Sequence, residues 1–114
     1  MPGTRDYLAG TRAGLVALSH GRCYFPDCQE PLVKRVGDDV VIAYEIAHIR
    51  DANPGNRYVA EMMNDERRSF PNLVLLCPHH HKMVDKIRPA DFSIEDLEQW
   101  KRGPTQVVPA ICQR

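Results

Sequence analysis

Cys77-Pro78-His79-His80-His81 gathers one thiol and three imidazoles within five residues, and Asp85 follows one helical turn later. Two more cysteines, Cys23 and Cys28, lie about fifty residues upstream. Cys23-x4-Cys28 and Cys77-x2-His80 together offer four soft or borderline donors, the set that closes a tetrahedral structural zinc site. A single cysteine is most often a small buried hydrophobe; two paired knuckles are far more specific. Zinc held this way would pin the amino-terminal region to the segment after Cys77 and contribute on the order of 10 kcal/mol to folding. His81 and Asp85 remain. Four apart on a helix they share a face, and an imidazole beside a carboxylate can hold Mg²⁺ or another divalent ion. The same spacing also makes an ordinary surface pair. A one-residue shift, with His79 to zinc and His80 beside the carboxylate, uses the same residue types.

His48 closes the apolar run 40–49, where a strand meets a loop and a ring can face both scaffold and solvent. Alone it would be a structural histidine, and Asn72 alone a turn residue. The elements that must position these side chains can be read from pattern. Residues 5–20 read as a helix, with Leu8, Leu15, Val16 and Leu18 mostly on one face and Gly21 as its stop. Residues 22–31 form the cysteine loop. Residues 32–36 and 40–49 read as two strands of a hairpin turned at Gly37-Asp38-Asp39. Residues 51–56 are a loop by composition, and 57–68 a mixed helical stretch on the surface. After Phe70-Pro71, a short apolar run delivers the chain to Cys77. Pro78 opens a helix expected to run through Asp85 to about Ile87. Pro89 ends it. Ser93 and Asp96 have capping-box spacing for a last helix that stops near Gly103.

Taken together these motifs resemble the HNH nucleases of the ββα-metal fold. The likeness is carried by Glu45-Ile46-Ala47-His48-Ile49, by Asn72-Leu73-Val74-Leu75-Leu76-Cys77, and by Cys77-Pro78-His79-His80-His81-Lys82-Met83-Val84-Asp85. Cys23-Tyr24-Phe25-Pro26-Asp27-Cys28 resembles the amino-terminal zinc knuckle of many of these nucleases. Pro54-Gly55-Asn56-Arg57-Tyr58 and Leu97-Glu98-Gln99-Trp100-Lys101 are also similar. The resemblance implies an α+β fold: a small ββα-metal domain with a β-hairpin, a catalytic helix, flanking helices and a structural zinc site. It implies hydrolysis of DNA phosphodiester bonds with His48 as general base. Asn72 would orient the His48 ring, and His81 and Asp85 would hold the catalytic ion. One departure stands out. Many members place Asp or His just before the base histidine, where this chain has Ala47; either the metal keeps more waters, which suits Mg²⁺, or another acid steps in, Glu45 being a candidate and Asp51 a weaker one. Arg50, Arg57, Lys82 and Lys86 are candidates for phosphate contact and equally for solvated surface charges.

The chain has 114 residues, 43% of them hydrophobic, which fits one domain with a thin core that a structural metal would help. The expected domain is 1–114, with its core at about 12–101 and 103–114 as tail or linker. Formal net charge is zero, which disfavours a nonspecific nucleic-acid coat but not a nuclease, because a bound divalent ion makes a cleft locally positive. No apolar run approaches the ~20 residues of a membrane span, and no apolar leader follows Met1, so a cytoplasmic protein is expected. Cys112 reads as a free thiol. No recognition helix or basic arm is evident, so the expected partner is double-stranded DNA bound with weak sequence preference, aided by self-association or a fused sensor domain. The Cys-x4-Cys entry and the Arg-Tyr loop resemble amino-terminal effector nucleases of bacterial anti-phage systems. The competing reading is a non-catalytic zinc-stapled module that binds nucleic acid or protein.

Overall fold

The structure, a computed structural model, describes residues 7–105. It is a small α+β arrangement of two separate two-stranded antiparallel sheets and four helices. Helix α1 (Ala9–Leu18) is followed by the cysteine loop, β1 (Val33–Val36), β2 (Asp39–Ile42), β3 (Glu45–His48), α2 (Asn64–Arg67), β4 (Leu73–Leu76), α3 (Pro78–Lys82) and α4 (Ile94–Thr105). Cys112 and the tail after 105 lie outside the described residues, as does the start of the expected first helix.

The apolar run 40–49 is not one strand. β2 pairs with β1 from Val33 opposite Ile42 to Val36 opposite Asp39, and the turn is the two-residue Gly37-Asp38, with Gly37 at φ 61°. A positive φ at the first turn position only is what a type II′ hairpin requires of its glycine. The chain then changes partner at Ala43-Tyr44, and β3 pairs with β4, Glu45 opposite Leu76 and His48 opposite Leu73. Burial explains the split. Every residue of β1 and β2 is exposed, whereas β4 is buried throughout and β3 becomes buried at Ala47 and His48. Continuous hydrophobicity in β4 marks a strand covered on both faces, and β3 is the neighbour that completes its ladder.

The core collects on β3 and β4. Leu15 from α1, Tyr24 and Leu32 from the loop region, Val84 and Leu97 from the carboxy-terminal helical segments, and Leu73, Val74, Leu75 and Leu76 are all buried together. Tyr24 ties the loop in twice: its backbone N–H donates to Leu75 O (2.9 Å) and its hydroxyl to Leu15 O (2.7 Å). The stretch 57–68 is helical only at Asn64–Arg67, and it is not all surface, since Arg57 and Arg67 are buried. The helix from Pro78 changes character as well. It is α-helical to Lys82 and continues as a π turn over Met83–Ile87, closed by Arg88 N–H to Met83 O at 2.8 Å. Helix α4 has its capping box: Ser93 Oγ accepts from Asp96 N–H at 3.1 Å, and Asp96 Oδ2 accepts from Ser93 N–H at 3.0 Å. Aspartate, one methylene shorter than the usual glutamate, still reaches. The helix runs through Gly103 to Thr105, because a glycine weakens a helix without ending it.

Candidate functional site

Cys23, Cys28, Cys77 and His80 converge, with one donor atom of each lying within 4.8 Å of every other. His80 Nδ1 is 3.3 Å from Cys77 Sγ and 3.9 Å from Cys23 Sγ. Sulfur and nitrogen bound to one zinc ion at ~2.3 and ~2.05 Å stand about 3.6 Å apart in a tetrahedron, so the cluster has the dimensions of a site for a zinc-like ion. It is His80, not His79, that turns inward. The surroundings hold the donors in place. Cys77 N–H donates to Cys23 Sγ at 3.2 Å. The Phe25 ring stacks on the His80 imidazole, centroids 3.9 Å apart and planes within 3°, and Trp100 and Phe92 pack behind it. Burial, aided by the neighbouring Cys77 and Cys28, pushes the Cys23 thiol up to about 12 despite backbone N–H groups that act the other way. A divalent cation reverses that logic by favouring the thiolate outright.

A second site adjoins this one. A cleft of about 280 Å³ is lined by His48 from β3, by His81 and Asp85 from the α3 and π-turn segment, and by the loop 51–57, with Lys86 among its other walls. His81 Nε2 and Asp85 Oδ2 are 3.1 Å apart. Two ligands of one octahedral ion at ~2.1 Å stand about 3.0 Å apart, so this pair fits adjacent positions on Mg²⁺ or a similar ion. Asp85 carries opposing influences: burial works to raise its pKa, but hydrogen bonds and charge from His81 and Arg57 outweigh it, and the carboxyl sits below its ordinary value.

Asn72 does not orient the His48 ring. Its amide nitrogen donates to Arg50 O (3.0 Å) and Arg67 O (2.9 Å), and its oxygen accepts from Arg50 N–H (2.8 Å). The carboxamide therefore holds the backbone just beyond His48. A polar atom that does reach the imidazole is the Tyr7 hydroxyl, 3.1 Å from His48 Nε2. No sequence signal pointed to Tyr7, which precedes His48 by 41 positions. Glu45 is not brought to the cleft; it is exposed and borders a different depression, with Tyr7, Arg12 and Tyr44. Asp51 is at the cleft.

Arg57 is not a surface phosphate contact but a buried cation, 2% exposed. It faces Asp85 and Asp51. Arg50 pairs with Glu98 at 2.9 Å. Lys82 and Lys86 are exposed. The loop 51–57 is closed by its own ends: Asp51 N–H donates to Arg57 O (3.1 Å), and Arg57 N–H donates to Asp51 Oδ2 (2.9 Å). Gly55 sits beneath that carboxylate, where an added Cβ would stand 2.8 Å from Asp51 Oδ2. An aspartate and an arginine six apart around Pro54-Gly55 was the available sequence cue for this clamp.

No protein-family model and no curated protein matches the chain. Among the described residues, no helix is long and apolar enough to cross a membrane.

Proposed function

We propose that the protein is a metal-dependent endonuclease of the HNH type that hydrolyses DNA phosphodiester bonds in the cleft beside the cysteine cluster. One observation carries this reading: the His48 imidazole, the His81 imidazole and the Asp85 carboxylate arrive from two different elements at one cleft, with the latter pair at octahedral spacing. A phosphodiester repels nucleophiles and has a poor leaving alkoxide, so its hydrolysis needs a base and a cation.

His48 is the base in this mechanism, as imidazole titrates near neutrality. The Tyr7 hydroxyl, which can donate to or accept from Nε2, positions the His48 ring at the cleft. Asn72 fixes the backbone at Arg50, immediately past the strand end that bears the ring. His81 and Asp85 hold the divalent ion, Mg²⁺ or a relative. When bound, that ion supplies charge stabilisation at the scissile phosphate and at the departing 3′ oxygen. Lys86, at the cleft, adds a positive charge for a neighbouring phosphate. The expected products carry 5′-phosphate and 3′-hydroxyl ends. Zinc in the Cys23–Cys28–Cys77–His80 cluster is structural. Duplex DNA read with little sequence preference, a cytoplasmic setting, self-association or a fused sensor domain, and a role as an anti-phage effector complete the proposal.

A second reading, a zinc-stapled binding module without catalysis, is favoured by one observation: Asp85 already has Arg57 as a counter-ion. A plasmid-nicking assay separates the two. Conversion of supercoiled DNA to nicked and linear forms with Mg²⁺ or Mn²⁺, abolished by excess EDTA, supports the nuclease; retention of DNA without any cutting supports the module.

A further inference from the structure

Resting on the reading of this cleft as a divalent-ion site, we infer that Arg57 determines which ion the cleft accepts, by holding one oxygen of Asp85 and so restricting that carboxylate to a single metal bond. Arg57 Nη2 donates to Asp85 Oδ1 at 2.8 Å, which leaves Oδ2 as the oxygen beside His81 Nε2. The same nitrogen lies 3.3 Å from Asp51 Oδ1. Nε donates to Ile49 O at 3.2 Å and Nη1 to Phe92 O at 3.4 Å. The guanidinium is thus gripped by the end of the β3 segment, by the loop 51–57, by the π turn and by the chain before α4. It is 2% exposed, and turning it away would strand a buried charge.

The consequence is coordination chemistry. Calcium takes six to eight oxygens at longer range and favours bidentate carboxylates, whereas magnesium needs six close ligands in an octahedron and is content with one carboxylate oxygen and several waters. An imidazole in the set further favours a transition ion such as Mn²⁺ over calcium. The charges of Asp51, Asp85 and Arg57 sum to one negative charge, and calcium meets an Asp85 with one oxygen held by Arg57 and an Asp51 that Arg57 engages through its guanidinium and its backbone N–H. Arg57 is here a specificity-determining residue, and it touches no reacting atom.

Calorimetric titration of the full zinc-loaded chain with MnCl2, MgCl2 and CaCl2, each alone, tests this without any activity measurement. Wild type is expected to bind Mn²⁺ at least about tenfold more tightly than Ca²⁺, with Mn²⁺ binding lost in Asp85→Asn. Arg57→Met, which releases Asp85 Oδ1 and Asp51 Oδ1 from the guanidinium, should bring the Mn²⁺ to Ca²⁺ ratio toward one, and Arg57→Lys, which keeps a cation in place, should restore much of it. Zinc content and circular dichroism check that each variant is folded. A folded Arg57→Met with the wild-type ratio overturns the inference and leaves the ion site standing. Wild type that binds Ca²⁺ as tightly as Mn²⁺ overturns it whether or not the variant folds. Mn²⁺ binding unaffected by Asp85→Asn, or no divalent binding at all, removes the ion site itself and the inference with it.

Discussion

A buried carboxamide must satisfy two donors and an acceptor, and Asn72, 2% exposed, does so entirely with the backbone of Arg50 and Arg67. Replacing Asn72 with Ala strands those backbone groups, at a cost of about 1–3 kcal/mol each in a buried setting. Urea unfolding of Asn72→Ala is therefore expected to show a lower midpoint at unchanged zinc content; an unchanged midpoint would contradict the anchoring role. His48 lines the cleft, yet it is 4% exposed and bonded to Tyr7, so its truncation is expected to cost stability as well as chemistry, and the two effects must be read separately. The cysteine–histidine cluster and the His81–Asp85 pair were legible in the sequence because their parts depend on short spacing. A Cys-x2-His turn and an i,i+4 pair are fixed by local geometry. Tyr7 at His48 and Arg57 at Asp85 depend on which distant segments pack together, and residue type alone left Arg57 undecided between phosphate contact and surface charge.

The same division holds for elements. Capping chemistry at Ser93 and Asp96, the hairpin glycine and the proline opening α3 are local signals, and all three features are present. The partner change between β2 and β3 is not local: a continuous β-prone run does not record that its first half faces solvent and its second half must cover β4. The π turn beneath Asp85 likewise has no residue signature. Helix α4 is fastened by Lys101, 9% exposed, whose ammonium donates to Leu73 O at 2.7 Å and to Phe70 O and lies 3.5 Å from the Phe70 ring centroid. Burial lowers this ammonium from its ordinary 10.5 to about 8. Below pH 8 both folded and unfolded chains carry the charge, and the full burial penalty applies. Between pH 8 and 10.5 the unfolded chain binds more protons, so stability must rise with pH, by at most about 1.4 kcal/mol per unit. The stability of wild type minus that of Lys101→Met, measured by denaturant titration from pH 7.5 to 10, is expected to climb across this window. A flat difference would show that the charge is not penalised.

At the scale of the whole molecule, the cysteine cluster joins the loop after α1 to the start of α3, and so ties the two ends of the core together. For a domain of this size a structural ion is a large share of stability. Metal analysis is expected to find near-stoichiometric zinc, and a strong chelator or Cys77→Ser should collapse the far-ultraviolet dichroism and the cooperative melt; a protein that stays folded without metal would refute the structural role. For the adjoining cleft the decisive measurement is the single-turnover rate of plasmid cleavage with Mn²⁺ by wild type and by His48→Ala at matched zinc content. Loss of a general base should slow cutting by roughly 10²–10⁴-fold at a temperature where circular dichroism shows both proteins folded. Cleavage by folded His48→Ala at the wild-type rate, or no cleavage by wild type with any divalent ion, would contradict the assignment of this cleft to phosphodiester hydrolysis.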